Sequence, residues 1–386
     1  MKILIIGTGY SQFVKEPIEF TMVNSYNKIY VTYDKERSDL YKDYYEKNNV
    51  TLINTHDKST IVGRIPKLGV LYNLFLEVRK YAKEGIFDVI HIHSVSSYWL
   101  TWFIVNFLSK YTKRIICTFY GSDLFLRSDS ELKKFDKLLS KMDNFSMSTD
   151  NLIYRFKKAF GNKYDDKIRK IPFGLANLIA IDEADCSIIC KTNLEVDPDK
   201  LLISIGHNTC EEQQHLLVID ELSKLSRNEL ERISIVLQLT YGSGSKEYVD
   251  KVITAAKKTG CEVIVLEQYM DREAVAVLAK ATDVYINSQV SDAISGAMLE
   301  YLYANTIVLN PGWIDYSELE KNGCDFITYN EFEQLPDYIR RILDGELVVD
   351  KNRNHDIIHS LSHWDSHKDK WISFLSIQNK ESNYAI

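Results

Sequence analysis

Two carboxylates spaced eight residues apart, Asp292 and Glu300, are the side chains of this sequence best placed to do chemistry. They bracket a turn of small residues and the start of a predicted helix, which follows a short apolar strand ending near Ile286. Both side chains can face a ligand held at the N-terminus of that helix. Carboxylates accept hydrogen bonds from vicinal hydroxyl groups, so the pair indicates sugar recognition. In the alternative, Glu300 only stabilises a helical turn.

Glycine-rich turns follow predicted strands in both halves of the chain. The first is Gly7-Thr8-Gly9, and the second, Tyr241–Lys246, reads Tyr-Gly-Ser-Gly-Ser-Lys. Glycine lets backbone N–H groups approach a phosphate at the start of a helix, and Lys246 adds a cation. The spacing differs from the phosphate-binding pattern Gly-x4-Gly-Lys. Since glycine is common in such turns, phosphate contact and a purely structural turn both remain open.

The first glycine turn also admits an NAD-type dinucleotide site. Asp34 stands at the end of the second predicted strand, where an acid that binds ribose would be expected. The third glycine of that fingerprint is replaced by Gln12. A nicotinamide-dependent oxidoreductase is therefore an alternative with an incomplete motif.

Short β-rich runs alternate with amphipathic helical stretches, such as Leu71–Lys83 and Leu132–Lys141, and the alternation starts again after a polar stretch around Ile181–Lys200. This order predicts two α/β units, each with a parallel sheet covered by helices. The predicted strands are Ile3–Ile6, Ile29–Thr32, Val89–His93, Ile115–Phe119, Ile168–Pro172, Leu201–Ile205, Ile233–Leu239, Glu262–Leu266, Val284–Ile286 and Thr306–Leu309. The predicted domains are 1–178, a linker at 179–199, 200–362, and a helix in 363–386 that returns to the first domain.

Charge is divided unevenly along the chain, whose net charge is −7. Residues 1–180 hold 28 basic and 19 acidic side chains, a balance of +9, and the rest hold 19 and 35, a balance of −16. A basic first half favours an anionic partner such as a membrane surface or a lipid pyrophosphate, although a solvated imbalance without a partner explains it equally well. The helix Tyr98–Leu108, with Lys110, Lys113 and Arg114 after it, fits either core packing or a membrane surface.

Six scattered cysteines without a paired framework predict a reduced, cytoplasmic protein. The apolar run after Met1 is too short for an export signal, and no stretch has the length of a membrane span. We therefore predict a cytoplasmic protein with peripheral association at the inner face of the plasma membrane.

Several segments resemble known glycosyltransferases. The segment Asp292–Glu300 is similar to the E-x7-E region of glycosyltransferase family 4, with Asp in place of the first Glu. Three further motifs match that family's amino-terminal domain in order and spacing: Asp88–His93, Thr118–Asp123 and Ile171–Gly174. The segments Leu202–Leu217, Gln238–Tyr248 and Tyr120–Asp123 also resemble the enterobacterial 4-acetamido-fucose transferase family. Both families imply the GT-B fold, in which two doubly wound Rossmann-like domains face a central cleft.

The resemblance implies roles for individual residues. Glu300 is expected to bind the nucleotide ribose and Asp292 the hydroxyls of the transferred sugar, while Gln268 and Tyr269 border the base. Tyr120 stands where family 4 usually has a His, and the loop after Gly206 lacks the usual Arg/Lys pair, for which Lys246 is a substitute. The predicted catalytic residues are Asp292, Tyr120 and Asp123. The predicted donor-binding residues are Gly9, Gly206, His207, Asn208, Tyr241, Gly242, Lys246, Gln268, Tyr269, Ser295, Gly296 and Glu300.

These residues predict a glycosyltransferase that moves a hexose or hexose derivative from a nucleotide sugar, with a UDP-sugar favoured. The acceptor is expected to be a glycan or a lipid-linked glycan of bacterial-type surface polysaccharide assembly. We expect no metal site, no further cofactor and no nucleic-acid partner. A non-catalytic GT-B partner subunit remains the main alternative because of Tyr120 and the missing basic pair.

Overall fold

The computed structural model describes residues 1–23, 27–34, 38–95, 97–291, 295–347 and 349–376. The chain forms two compact units. Unit 1 comprises Met1–Gly174 and the C-terminal segment that begins at His367, and unit 2 comprises Leu175–Ser366.

Unit 1 contains a parallel sheet of seven strands in the order β3-β2-β1-β4-β5-β6-β7. The order reverses between β1 and β4, and in such sheets ligands bind beyond the carboxyl ends of the strands at the reversal. The strands are Lys2–Ile6 (β1), Lys28–Tyr33 (β2), Thr51–Asn54 (β3), Val89–His93 (β4), Ile115–Thr118 (β5), Asn144–Met147 (β6) and Ile168–Lys170 (β7).

Helices connect these strands, and a core of aliphatic and aromatic side chains lies between the sheet and the helices. A π-helical turn at Ile104–Leu108 and a 3-10 turn at Ser109–Tyr111 extend the fourth helix. The helices are Gln12–Thr21 (α1), Lys42–Lys47 (α2), Leu68–Ala82 (α3), Tyr98–Phe103 (α4), Gly121–Phe125 (α5), Asp129–Lys133 (α6), Asp136–Leu139 (α7) and Asp150–Phe160 (α8).

Unit 2 repeats the arrangement with six parallel strands in the order β10-β9-β8-β11-β12-β13. Its reversal lies between β8 and β11, which makes the carboxyl ends of those strands the expected ligand edge. The strands are Leu201–Ile205 (β8), Ile233–Gln238 (β9), Glu262–Leu266 (β10), Val284–Ile286 (β11), Ile307–Pro311 (β12) and Ile327–Tyr329 (β13).

The helices of unit 2 cover both faces of its sheet, and 3-10 turns occur at Glu211–Gln213 and Phe332–Gln334. The helices are Ala176–Glu183 (α9), Ser187–Asn193 (α10), His215–Leu222 (α11), Arg227–Glu231 (α12), Lys246–Lys258 (α13), Arg272–Ala281 (α14), Gly296–Tyr303 (α15), Ser317–Lys321 (α16), Leu335–Leu343 (α17) and Lys351–Ser362 (α18). A last helix, Trp364–Ser376 (α19), begins in unit 2 and continues into unit 1.

The predicted linker 179–199 differs from what the structure shows. It consists largely of α9 and α10, which pack against α14 within unit 2. Leu178, Ile181 and Cys190 are fully buried there, so the apolar side chains in this acidic stretch form part of a core.

The helix predicted at Tyr98–Leu108 has two kinds of surface. Ile104 and Leu108 are fully buried in the core of unit 1, whereas Trp99 is 66% exposed and Phe107 is also exposed. Core packing therefore accounts for one face and leaves an aromatic face uncovered in unit 1. No helix in the described ranges has both the length and the apolarity that a membrane crossing needs.

Arg114 holds the C-terminal helix on unit 1. Its guanidinium donates to the carbonyl oxygens of Leu375 (3.1 Å) and Phe374 (3.3 Å) at the end of α19. The side chain is buried, and burial lowers the pKa of Arg114. The sequence had placed Arg114 with Lys110 and Lys113 in a basic surface patch, which is wrong for Arg114 because its charge is used inside the unit.

We expect Arg114→Met to lower the stability of unit 1 by about 2 kcal/mol, because charge-assisted hydrogen bonds are lost and two carbonyls lose their donor. The matched control is Lys113→Met, whose ion pair with Asp88 (2.7 Å) is at the surface and contributes less than about 1 kcal/mol. Thermal unfolding and hydrogen exchange of residues 364–376 would be measured. Equal stability and exchange in the two variants would contradict the role of Arg114.

Candidate functional site

The loop after β8 in unit 2 is folded tightly at the reversal of strand order. Gly206 has a φ of +62°, and a Cβ atom at this position would lie 2.7 Å from His215 Nε2 and 2.9 Å from Gln213 Oε1. The backbone N–H of His207 donates to Gln213 Oε1 (3.2 Å). Only glycine fits here, so the backbone of Gly206 and His207 is fixed in place at the expected ligand edge.

The second glycine loop lies against the first. The N–H of Thr209 donates to the carbonyl of Tyr241 (2.7 Å). Gly242 has a φ of +125°, and a Cβ atom at Gly244 would overlap the carbonyl oxygen of Thr209. The structure thus brings together two predicted donor segments, 206–208 and 241–244, which are separated by 33 residues or more of sequence.

Tyr241 forms a side-chain hydrogen bond with Asn208 and lies within range of the charge of Glu300. Burial raises the pKa of the Tyr241 hydroxyl, the charge of Glu300 raises it further, and the hydrogen bond with Asn208 lowers it. Tyr241 therefore stays protonated near neutral pH and can donate a hydrogen bond.

Glu300 lies on α15, whose first residue is Gly296. Ser295 caps this helix through its Oγ, which accepts from the N–H of Met298 (3.1 Å). Asn177 Nδ2 donates to Glu300 Oε1 (2.7 Å) and fixes the carboxylate. Sequence analysis missed Asn177, although its position three residues after the Ile171–Gly174 motif was a usable signal. Asp292 lies outside the described residues, so its role stays a prediction.

His207 is buried, and its Nδ1 lies 3.1 Å from the hydroxyl of Tyr285. Tyr285 stacks on Tyr301 with 4.2 Å between ring centroids. His207 thus sits on an aromatic support below the glycine loop. Both the side chain of His207 and its backbone N–H, which donates to Gln213, therefore hold the loop in place.

The remaining predicted donor residues lie farther away. Gln268 and Tyr269 follow the edge strand β10 and line a pocket of about 480 Å³ with Leu194. Strand β10 is two strands from β8, about 10 Å at the usual strand spacing. Lys246, in contrast, is exposed at the start of α13 and lines a surface groove with Asp250, and its role as a donor-binding cation stays a prediction.

In unit 1 the first glycine turn also requires glycine, because its backbone packs closely against neighbouring strands. A Cβ atom at Gly7 would lie 2.8 Å from His93 Cβ, and one at Gly9 would lie 2.6 Å from the carbonyl oxygen of Thr32. The turn thus lies directly on β2 and β4. Asp34, the acid of the dinucleotide alternative, lies 3.4 Å from His56 Nδ1.

Asp123 is fully engaged inside unit 1. One of its oxygens accepts from Ser94 Oγ (2.6 Å) and the other from the backbone N–H of Tyr120 (2.9 Å). Ser94 has a φ of +74°, a conformation uncommon for residues other than glycine. The structure places Asp123 as a support for Ser94 and Tyr120, and its catalytic role stays a prediction.

Tyr120 forms one wall of an aromatic pocket. It stacks on Phe173 (centroids 5.6 Å apart, planes at 19°) and contacts Phe13 (5.6 Å). The pocket has a volume of about 490 Å³, and its hydroxyl-bearing lining residues besides Tyr120 are Thr8, Ser11, Ser94, Ser122 and Ser148. Burial raises the pKa of Tyr120, so its hydroxyl stays protonated. Aromatic faces and neutral hydroxyl groups suit an uncharged, hydroxylated ligand.

A second cavity of about 220 Å³ lies next to it, beyond the ends of β1, β2 and β4. It is lined by Thr and Ser hydroxyls and by aliphatic side chains such as Leu74 and Ile92, with His56 and His93 as its imidazoles. In the described ranges, no group of three or more His, Cys, Asp or Glu side chains has the geometry of a metal site. Both cavities of unit 1 therefore offer hydroxyl and imidazole groups to a ligand, and the pocket beside Tyr120 adds aromatic rings.

Known proteins resemble this chain in sequence and in fold. Residues 2–154 match the family model described as glycosyl transferase 4-like. No curated protein matches the sequence. A glycosyltransferase from Rickettsia africae ESF-5 is similar in structure, with a TM-score of 0.69 and 15% identity over 98% of this chain and 99% of that one.

Two further structures share the fold. Sucrose-phosphate synthase from Thermosynechococcus elongatus has a TM-score of 0.63 and 12% identity, over 96% of this chain and 97% of that one. Anabaena HepE in complex with UDP and glucose has a TM-score of 0.63 and 13% identity, over 98% of this chain and all (100%) of that one. The likeness to the 4-acetamido-fucose transferase family is not supported by these matches and stays a prediction. The chain has the GT-B fold of glycosyltransferases, and its residues 2–154 resemble the glycosyl transferase 4-like family.

Proposed function

We propose that this protein transfers a hexose or a hexose derivative from a UDP-sugar to a glycan or lipid-linked acceptor in bacterial-type surface polysaccharide assembly. The observation that carries the proposal is the hydrogen bond between Tyr241 and Asn208 beside the glycine loops of unit 2, within range of the charge of Glu300. An acid held by Asn177 at a helix that starts at the ligand edge is suited to the two hydroxyls of a ribose. HepE, solved with UDP-glucose, supports a UDP-sugar as the donor by analogy of fold.

In the proposed reaction, a hydroxyl oxygen of the acceptor forms a bond with the anomeric carbon, and the bond from that carbon to the diphosphate oxygen breaks. The nucleoside diphosphate leaves with the electron pair, and the hydroxyl proton of the acceptor passes to a diphosphate oxygen or to water. Backbone N–H groups in the first turn of α15 stabilise the charge that develops on the diphosphate. Asp292 is proposed to bind the hydroxyls of the transferred sugar.

The acceptor is proposed to bind unit 1. Its aromatic pocket beside Tyr120 presents neutral hydrogen-bonding groups. The anionic part of a lipid-linked acceptor is instead attracted by lysines on the surface of unit 1, such as Lys110, Lys133 and Lys134, which are exposed. The sugar of the acceptor would thus bind in the neutral pocket, and its lipid diphosphate would bind at the basic surface.

The uncovered aromatic face of α4 and the turn after it is proposed to touch the membrane. Trp99 contacts Trp102 (6.1 Å between centroids), which contacts Phe107 (5.3 Å). Lys110 is exposed close by in sequence, and Lys141 donates to Asn106 (2.6 Å) next to Phe107. Exposed aromatic rings beside lysines match the interfacial zone of an anionic bilayer.

A non-catalytic GT-B partner subunit is the second candidate. It is favoured by the segment Gly206–Asn208, which has no Lys or Arg, and by the position of Lys246 on a groove of α13. Such a subunit would bind a nucleotide or an acceptor without transferring sugar. Transfer or slow hydrolysis of a nucleotide sugar by the isolated protein would exclude it.

The proposed donor is tested by thermal unfolding with UDP-, GDP- and dTDP-sugars. A ligand that binds only the native state adds about 2.7 kcal/mol of stability at 100 times its Kd. We expect the largest upward shift in Tm with a UDP-sugar. A larger shift with GDP- or dTDP-sugars would overturn the nucleotide assignment, and the absence of any shift, with no hydrolysis, would overturn the donor site itself.

We predict that Glu300→Gln weakens UDP binding by about 1.5–3 kcal/mol, because a charged acceptor of hydrogen bonds from the ribose is removed. Calorimetric titration with UDP would measure the loss. Glu320→Gln on α16 is the matched control, since Glu320 is exposed, and it should bind UDP like the wild type. Unchanged affinity in Glu300→Gln, with an unchanged melting temperature, would remove the ribose role.

If the aromatic face contacts the membrane, the protein should sediment with anionic liposomes, and the bound fraction should fall as salt is added. Each lysine near the surface contributes about 1 kcal/mol, and the attraction decays over about 8 Å at physiological salt. Trp99→Ser with Phe107→Ser should lower the bound fraction at every salt concentration, and neutralising Lys110, Lys133, Lys134 and Lys141 should remove the salt dependence.

The matched control for the aromatic pair is Ile188→Ser with Leu217→Ser, two exposed apolar residues of unit 2. This control should sediment like the wild type. If all four proteins stay in the supernatant at low salt, the acceptor is a soluble molecule and the membrane contact is absent.

A further inference from the structure

A continuous row of hydrogen-bonding side chains crosses the sheet of unit 1. Ser146 Oγ lies 2.7 Å from Thr118 Oγ1, which lies 2.7 Å from His91 Nε2. His91 Nδ1 lies 3.2 Å from His93 Nε2, and His93 Nδ1 lies 2.9 Å from the Tyr120 hydroxyl. The row begins in the core on β6, passes through β5 and β4, and ends at the aromatic pocket.

The pocket end of the row has a fixed acceptor. The Tyr120 hydroxyl lies 3.3 Å from the carbonyl oxygen of Phe13 in the first turn of α1. In a regular helix this carbonyl would accept from the residue four positions later, but that residue is Pro17, which has no N–H. A carbonyl oxygen can only accept, so Tyr120 donates to it.

His91 and His93 are neutral. Each ring therefore donates one hydrogen bond and accepts another, so the hydrogen bonds along the row run in one direction. Burial lowers the pKa of His93 to about 3 and that of His91 well below its usual value. The rings of Trp371 and Phe374 on α19 lie over His91, at 6.2 and 5.8 Å. A neutral imidazole has one donor and one acceptor nitrogen.

When Tyr120 donates its proton to Phe13, its oxygen is left to accept from His93 Nδ1–H. His93 Nε2 then accepts from His91 Nδ1–H, and His91 Nε2 accepts from the Thr118 hydroxyl. Thr118 in turn accepts from Ser146. The Phe13 carbonyl also raises the pKa of His93 against the effect of burial, in agreement with an N–H group on that side of the ring.

We propose that this row is a one-way hydrogen-bond relay that presents the Tyr120 hydroxyl as a donor to an uncharged sugar ring in the aromatic pocket of unit 1. The bond from Tyr120 to Phe13 is long, so exchanging it for a shorter bond to a sugar hydroxyl costs little. Phe13 and Phe173 supply apolar faces for the ring. His91 and His93 are positioning residues, and the sugar assignment rests on the proposed function.

The direction of the relay is tested without any substrate. The full chain would be labelled with ¹⁵N-histidine, and the two resonances assigned with His91→Gln and His93→Asn. Both His91 and His93 are expected as the Nδ1–H tautomer, which is the less common form of free imidazole. An Nε2–H tautomer at either position, or a protonated ring at neutral pH, would overturn the relay. This result is independent of whether the protein transfers sugar.

The role toward the sugar is tested with D-glucose as the probe, by saturation transfer from the protein to the ligand. Tyr120→Phe should weaken glucose binding about five- to tenfold, the worth of about one hydrogen bond. His93→Leu should weaken it similarly, whereas His93→Asn, which keeps an N–H near the position of Nδ1, should stay within about threefold of the wild type.

Equal losses in His93→Asn and His93→Leu would mean that the ring only fills space, and this would overturn the positioning role. No glucose binding by the wild type would overturn the sugar subsite. UDP affinity, measured on the same samples, should be unchanged in Tyr120→Phe. If the wild type does not bind UDP, the proposed donor site fails, while the tautomer experiment still decides the relay.

Discussion

The structure depends on how closely the backbone approaches itself where the strand order of each sheet reverses. In unit 1 the turn after β1 touches His93 and the backbone of β2, and in unit 2 the loop after β8 touches Gln213 and His215. A side chain at Gly7, Gly9 or Gly206 would force these segments apart. The close fit leaves backbone groups at the carboxyl edge, where neighbouring loops also converge.

The two units build on this constraint with different chemistry. In unit 2 the loops bring an acid, an amide and a phenol together around Glu300, which suits a polar and charged ligand. In unit 1 the same edge carries aromatic rings and hydroxyl groups, and its two buried acids are engaged, Asp123 by Ser94 and Tyr120 and Asp34 by His56. One architecture thus carries two edges of different chemistry, for which we proposed a nucleotide and a neutral sugar ring.

Sequence patterns predicted the elements whose physical signal is strong. Strands such as Leu201–Ile205 and Val284–Ile286 are continuous apolar runs, because a parallel sheet is buried on both faces. The strands Thr51–Asn54, Asn144–Met147 and Ile327–Tyr329 were missed, since they are short and partly polar. The GT-B fold followed correctly from the motifs.

Contacts between residues that lie far apart in the chain could not be predicted from the sequence. The bond between Asn177 and Glu300 joins residues 123 positions apart, so the sequence around Asn177 does not reveal its partner. Arg114 follows exposed lysines in the chain, but its side chain is buried in the unit just before β5. Its sequence neighbours therefore gave a wrong prediction of its exposure. His91 and His93 were expected to form hydrogen bonds at the end of a strand, but the row that joins them to Thr118 depends on the register of three strands.

The attachment of α19 to unit 1 has a consequence for biosynthesis. Residues 1–174 are translated before Trp371, Phe374 and Leu375, which are buried against them in unit 1. Domains generally fold as they emerge. Unit 2, however, is contiguous and is synthesised before unit 1 has the last part of α19. Until that part of α19 emerges, the surface around His91 and Arg114 that it contacts stays uncovered in the nascent first half.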